Sequence, residues 1–428
     1  MKPESPVLLK QVSILDPTVP GDRLADVLLI DGTVVAIQSE LTPPAPETTI
    51  IEAAGCILAP GLADLYSHSG EPGYEHRETL TSLAAAAAAG GFTRVAVLPD
   101  TAPPTDNPAA LQTLQQHSQA LRQITSFNAP QLDFWSTLTL KREGQQMVEL
   151  AEMVAAGAIG FTDSRPLENL GLLRRILEYL RPLDRPLAIV PANLALRGNG
   201  VLREGTASIR CGLPGDPAAS ETAALAAILE VIAATNCPAH LMRISTRRGV
   251  ELIAEAKARG LPITASTTWL HLLLETGDAA SYDPNLRITP PLGNQEDRLS
   301  LIAAVATGTI DIIAVDHAPY TYEEKAVGFE SAPAGAIGLE LALPLLWQEF
   351  VASGKWTAGQ LWQALSVNPR ACLGQPPIHL IPGQPTEAIL FDPHQVWTVE
   401  RETVKSLAAN SSWWGKQIVG RILHTWMS

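Results

Sequence analysis

Side chains able to do chemistry gather where short apolar runs end. The segment LADLYSHSGEPGYEHRETL carries Tyr66, His68, Glu71 and Glu78. AIGFTD closes on Asp163, AHLMRIS holds His240 and Arg243, TTWLHL holds Leu270 and His271, and IDIIAVDHAP brings Asp316 next to His317. Imidazoles and carboxylates at such ends are the groups that hold a hydrolytic metal or relay a proton. Cysteine chemistry is a poor fit. Cys56, Cys211, Cys237 and Cys372 are far apart and form no C-x-x-C pair. That argues against structural zinc and a secreted disulfide framework, and for free thiols in a reducing compartment. A blander role suits His76, His117, His379, His394 and His424 as surface or packing residues. Glu71 and Glu78 read as structural rather than as general acids, and His317 as a residue that orients loops.

These ends need a scaffold. Eight apolar runs follow residue 56: CILAPGLADLYS, TRVAVLP, LDFWSTLTL, AIGFTD, LAIVPA, AHLMRIS, LPITASTT and IDIIAVD. Helix or long loop follows each, which predicts an α/β protein built as a (β/α)8 TIM barrel over residues 61–375. An open doubly wound sheet fits less well, because no G-x-G-x-x-G follows the first barrel strand. Barrels of this kind carry their working residues at the C-terminal strand ends, where the residues above lie. Residues 1–60 and 376–428 are β-like and predict a small β-sandwich domain built from both chain ends. Asp31-Gly32 between two apolar runs marks a hairpin. The alanine run Leu83 to Ala89 reads as a packed helix ended by Gly90-Gly91. The closing run SSWWGKQIVGRILHTW reads as core rather than as a contact surface.

Composition bounds the partners. Of the 428 residues, 46% are hydrophobic and 17% charged, enough to bury a large core. The net charge of −14 argues against a nucleic-acid partner. The opening MKPESPVLLKQVSILDP has no long apolar run, so neither a signal peptide nor a membrane span is expected there. A cytoplasmic location is the expectation.

At the first barrel strand the sequence resembles the dihydroorotase family of the amidohydrolase superfamily, in its cyclic amidase branch. That family carries G-L-x-D-x-H-x-H-x-R-E-P-G, and Gly61, Leu62, Asp64, His68, Glu71, Pro72 and Gly73 match. GGFTRVAVLPDTAPPTDNP resembles its G-G-F-T-x-V-x-x-M-P-N-T. STRRGVELIAEAKARGLPIT, YDPNLRITPPL, IDIIAVDHAPYTYEEK, SVNPRACLG and ILFDP continue the likeness over nearly the whole chain. The resemblance implies an amidohydrolase-type barrel and a two-metal site. Its ligands would be two histidines of strand one, an acid of strand four, one histidine each on strands five and six, and an aspartate of strand eight. The last aspartate would shuttle the proton.

Several positions depart from that set. Tyr66 stands at the first histidine, Arg243 at the histidine of the H-V-S-T-like segment, and Leu270 at the first histidine of T-P-H-H-L. His68, Asp163 and Asp316 remain, and the resemblance makes them a residual metal site, empty or holding one zinc, with Asp316 catalytic if the chain is active. His240 lies three residues before Arg243, on the opposite face of a strand, and cannot take over as the ligand. A guanidinium about 4 Å from a dication would repel it by several kcal/mol at an effective dielectric of about 20. Arg243 is therefore expected to pair with Asp163 and Asp316. Gly70 replaces the arginine, and Asp100 the asparagine, that hold the substrate carboxylate in relatives. PANLALRG takes the place of their H-A-E-D segment.

Two functions compete. One is a pseudoenzyme of pyrimidine biosynthesis that acts as a structural partner of aspartate carbamoyltransferase, as the resemblance implies for members of this kind. The other is an active dihydroorotase, or another hydrolase of a cyclic amide C–N bond, using one metal. A sensor of another small molecule is a third reading. A homo-oligomer stays open.

Overall fold

The structure, a computed structural model, describes residues 6–17, 23–125 and 127–427. The first five residues of the opening segment lie outside that range. Five strands come first: β1 (Val7–Ile14), β2 (Arg23–Ile30), β3 (Thr33–Gln38), β4 (Thr49–Glu52) and β5 (Ile57–Pro60). Ile30 pairs with Thr33 across Asp31-Gly32, both at positive φ, which is the two-residue hairpin expected of Asp-Gly.

The barrel strands follow in parallel. They are β6 (Leu62–Ser67), β7 (Phe92–Val97), β8 (Gln131–Phe134), β9 (Ala188–Ile189), β12 (Ala239–Leu241), β13 (Ile263–Thr268) and β14 (Ile312–Ala314). Two short strands, β10 (Leu202–Arg203) and β11 (Gly215–Asp216), pair with each other in the excursion between β9 and β12. The fourth barrel strand is reduced to Phe161, which bridges Ser136 on one side and Leu187 on the other. The ring closes between β14 and β6. There Val315 N donates to the Asp64 carboxylate at 2.8 Å and His68 N donates to His317 O at 2.8 Å. Asp64 is buried and also accepts from Ser67 Oγ, so its polar atoms have partners.

The helices lie outside the strands. Thr79 caps the alanine-rich helix Leu80–Ala89 with a capping box, and Gly90 ends it. The helix Ala218–Thr235 is long and apolar enough to cross a membrane, but it lies against the helices Leu170–Leu180 and Arg247–Ala258. Its apolar surface serves the barrel.

The chain returns to the N-terminal sheet through β15 (Gln384–Pro385), β16 (Ala388–Thr398) and β17 (Gln417–Trp426). The strand order is β15-β3-β2-β1-β5-β16-β17, with β4 also on β1. One hydrogen-bonded sheet from both chain ends therefore surrounds its own small core, which includes Leu9, Val27, Leu58, Leu390 and Trp426. Trp413 packs on Trp269 with ring centroids 5.2 Å apart, so the terminal aromatics are largely core.

Candidate functional site

The C-terminal strand ends converge on two cations and two anions. Arg243 follows β12 and Asp316 follows β14. The guanidinium grips the carboxylate with both edges, Nε to Oδ2 at 2.9 Å and Nη2 to Oδ1 at 2.5 Å. Such a bidentate pair is the strongest arrangement open to these side chains. His68 sits against it, with Nε2 3.5 Å from Asp316 Oδ1 and Nδ1 2.5 Å from Asp100 Oδ2. Arg243, Asp316 and the neighbouring Ser164 all have left-handed backbone, at φ 56°, 52° and 52°. Non-glycine residues adopt that region at a cost of about 1–3 kcal/mol, and it concentrates at sites where geometry is imposed.

Electrostatics fixes the charges. Burial alone would pull His68 down, but Asp100 and Asp316 raise its pKa to about 9. Burial would raise Asp100, but the His68 cation holds it at about 2. Burial likewise opposes the charge on Asp316, yet Arg243 and His68 hold its carboxyl well below the usual range. At neutral pH the cluster is His68⁺, Arg243⁺, Asp100⁻ and Asp316⁻, and the four charges cancel.

Tyr66 takes the place of the first histidine and lies beneath the arginine. Its ring is 5.2 Å from the guanidinium carbon. Its hydroxyl bonds Ser266 Oγ at 2.8 Å and accepts from Arg243 N at 3.3 Å. Ser266 continues to His240 Nε2 at 2.8 Å, and His240 Nδ1 reaches Thr264 Oγ1 at 2.9 Å. His240 thus points into the barrel interior, joined to Tyr66 through Ser266, and not to the face opposite Arg243 that a three-residue offset predicts. The left-handed backbone at Arg243 breaks the alternation and leaves both side chains on the inner side, with His240 in the layer below. Burial, with Lys257 nearby, lowers its pKa to about 3 and keeps it neutral.

Asp163 corrects one expectation. It does not pair with Arg243. Its Oδ1 accepts from Leu138 N at 2.8 Å and Thr139 N at 3.1 Å, and its Oδ2 accepts from Thr139 Oγ1 at 2.7 Å. Both oxygens tie down the loop after β8, so the residual set of His68, Asp163 and Asp316 does not converge. Among the described residues, no three His, Cys, Asp or Glu side chains are grouped to hold a metal ion. The donor chemistry agrees: a phenol and a guanidinium at Tyr66 and Arg243, and a proline at the strand-five end, do not fit a dinuclear centre.

A second correction concerns strand count. Arg243 ends the sixth barrel strand, and Leu270 follows the seventh. The strand-five position falls beyond Ile189, at Pro191, the first residue of the PANLALRG segment. Pro191 offers no donor there. The sequence signal was available, since that segment had already lost its histidine and acids. Short β9, of two residues, made the register hard to read. Leu270 and His271 line a small cavity of about 150 Å³ with Arg243, Asp316 and Gly335. His271 is neutral by burial, and Thr268 Oγ1 holds its Nδ1.

The anion-holding positions are also closed. A side chain at Gly70 would begin 2.2 Å from Tyr74 O and 2.3 Å from Glu78 O. No arginine fits there without moving the loop. Asp100 is held by His68 and presents a negative charge. Glu78 accepts from Ser406 Oγ and Leu407 N and lies 3.4 Å from His317 Nε2, while Glu71 accepts from Leu80 N. Glu71, Glu78 and His317 are thus each hydrogen-bonded to loop or helix-end groups.

Comparison with known proteins follows this geometry. Residues 55–249 match a family model described as "Dihydro-orotase-like". The chain is 45% identical to a "Probable dihydroorotase-like protein" of Synechocystis sp., over 96% of this chain and 98% of that one. It is 36% identical to a "Dihydroorotase" of Thermus aquaticus, over 97% and 96% of the two chains. Among solved structures it is similar to an L-hydantoinase (dihydropyrimidinase) from Arthrobacter aurescens. The TM-score is 0.84 at 22% identity, covering 98% of this chain and 94% of that one. Likeness at that identity speaks for the barrel fold alone.

Proposed function

Since this chain belongs to the dihydroorotase family, we propose that it is a non-catalytic member that serves pyrimidine biosynthesis as a structural partner of aspartate carbamoyltransferase. The observation that carries the non-catalytic reading is the bidentate Arg243–Asp316 pair. Hydrolysis of a cyclic amide needs a polarised carbonyl, an activated water and a base to take its proton. Asp316 is a poor base because the guanidinium stabilises its anion, and Asp100 is poorer than a free carboxylate because His68 does the same. His68 is itself protonated near neutral pH and has no lone pair to offer. Gly70 leaves no cation for a substrate carboxylate. The partner role rests on the family resemblance.

Three measurements test this reading. Dihydroorotate is assayed with and without added zinc or manganese, and no turnover above background is expected. Metal is counted in protein purified without chelator, and well under one equivalent is expected. Sizing with aspartate carbamoyltransferase at micromolar concentration should give a joint species; separate elution would remove the partner role. The competing reading is a one-metal hydrolase on His68, Asp163 and Asp316. It requires Asp163 to release Leu138 and Thr139, and Arg243 to leave Asp316. Turnover that disappears in Asp316→Ala would establish it and end the non-catalytic reading.

A further inference from the structure

A second cavity, of about 270 Å³, opens on the far side of Arg243. Its walls come from the end of β9 and from the excursion that follows it. Val190, Pro191, Leu194 and Pro290 supply apolar surface, and Arg197 and Arg203 supply positive charge. It shares Arg243, Ser164 and Thr289 with the smaller cavity beside Asp316, and is otherwise separate.

The arginines are not fully satisfied. Arg203 is 2% exposed. Its Nη1 donates to Asp216 O at 3.2 Å and its Nη2 to Ser245 Oγ at 2.7 Å, while its buried Nε has no partner. A buried donor without an acceptor costs about 1–3 kcal/mol. Two carboxylates, Asp216 and Glu221, also line the cavity, and their closest bonds are to neighbouring hydroxyls and backbone N–H groups. Glu221 accepts four bonds, from the backbone N and hydroxyls of Ser245 and Thr246. Asp216 accepts from Ser220 Oγ and approaches Arg203 no closer than 3.9 Å. Half-buried Arg197 makes no ion pair with a described carboxylate. Arg287 is buried near it, also with an unpartnered Nε, and burial together with Arg197 lowers its pKa to about 10. Arginines outnumber carboxylates in the lining, with Arg165, Arg197, Arg203 and Arg243 against Asp216 and Glu221, in a chain of net charge −14.

We propose that this cavity binds a small organic anion, with its carboxylate or phosphate facing Arg197 and Arg203 and its non-polar body against Val190, Pro191 and Leu194. Guanidinium groups are pre-organised for planar or tetrahedral oxyanions. The volume lies just below the usual range for ligand sites, which begins at about 300 Å³, and so limits the ligand to a compact molecule. The proposal does not depend on whether the chain hydrolyses anything, because Asp316 and His68 do not line this cavity.

The test is calorimetric titration of the full chain, at low chloride, with benzoate, phenyl phosphate, inorganic phosphate and the neutral benzamide. Benzoate or phenyl phosphate should bind at least tenfold tighter than benzamide, and the tighter of the two identifies the anionic group. Arg197→Ala, at a half-exposed position, should weaken it about tenfold. Ala192→Phe, which fills the cavity, should abolish it. Arg203→Gln is a third variant, used only if its melting curve matches the parent. The proposal fails if neither organic anion binds below about 10 mM, or if benzamide binds equally. It fails too if inorganic phosphate binds as tightly as phenyl phosphate, or if Arg197→Ala and Ala192→Phe both leave binding unchanged.

Discussion

Replacing His68 by glutamine removes the cation between Asp100 and Asp316, and should change how stability depends on pH. In the folded chain, burial pulls the imidazole pKa down, but the two carboxylates raise it to about 9, against 6.5 for a free histidine. The proton is held more tightly in the folded state. Its stabilisation is therefore complete below about pH 6.5 and is lost as pH rises through about 9. At about 1.4 kcal/mol for each pH unit, that interval corresponds to roughly 3 kcal/mol. The side chain is 23% exposed, so solvent screening trims this figure without removing it. The depressed pKa of Asp100 is the same interaction seen from its partner, and is not added. Other groups titrate nearby. Burial, with Arg287 next in effect, lowers Lys325 to about 7, and burial raises Asp64 and Glu340 to about 7. They are present in both proteins, so the difference between parent and variant isolates His68. Urea unfolding of both, at about pH 6 and about pH 9.5, gives that difference. The parent's advantage should shrink by roughly 3 kcal/mol between the two pH values. A difference that stays flat would refute the cationic His68 and with it the charge-balanced cluster.

Other substitutions probe the same strand ends. Arg243→Met leaves the mostly desolvated Asp316, 17% exposed, with only His68 to balance it, and should cost about 3 kcal/mol, the low end for a buried pair, in urea unfolding at neutral pH. A loss below about 1 kcal/mol would mean that the pair is not formed in solution. Gly70→Ala places a methyl against two carbonyl oxygens, at 2.2 and 2.3 Å. It should destabilise by more than about 2 kcal/mol, measured by thermal unfolding, whereas an unchanged melting curve would show that an arginine could be restored there. Tyr66→Phe removes the hydroxyl shared by Ser266 and Arg243 N. It should cost about 1–3 kcal/mol, and the His240 ring signals should shift in NMR because Ser266 must find another partner.

Much of the fold was legible in the sequence. The Asp31-Gly32 hairpin, the alanine helix ended by Gly90 and most of the strand ends follow from local periodicity and turn chemistry, which need only near neighbours along the chain. The loss of metal donors was legible at Tyr66 and Arg243, since a phenol and a guanidinium cannot supply a second dication with ligands whatever the backbone does; the leucine read as a third lost donor, Leu270, lies on the seventh strand, outside the ligand set. The sequence did not determine where the remaining charges point. Asp163 is a carboxylate at the right strand end, but the loop after β8 offers it two backbone N–H groups and a hydroxyl, and those take both its oxygens. Asp316 is the carboxylate that Arg243 pairs with because the turn after β12 and the turn after β14 aim their side chains at each other. Strand five is two residues long, so only the closed barrel identifies Pro191 as its end. Residue types set which charges are available. Partner choice among groups far apart in sequence was decided by the tertiary structure, because hydrogen bonds and ion pairs depend on ångström distances that no spacing along the chain records.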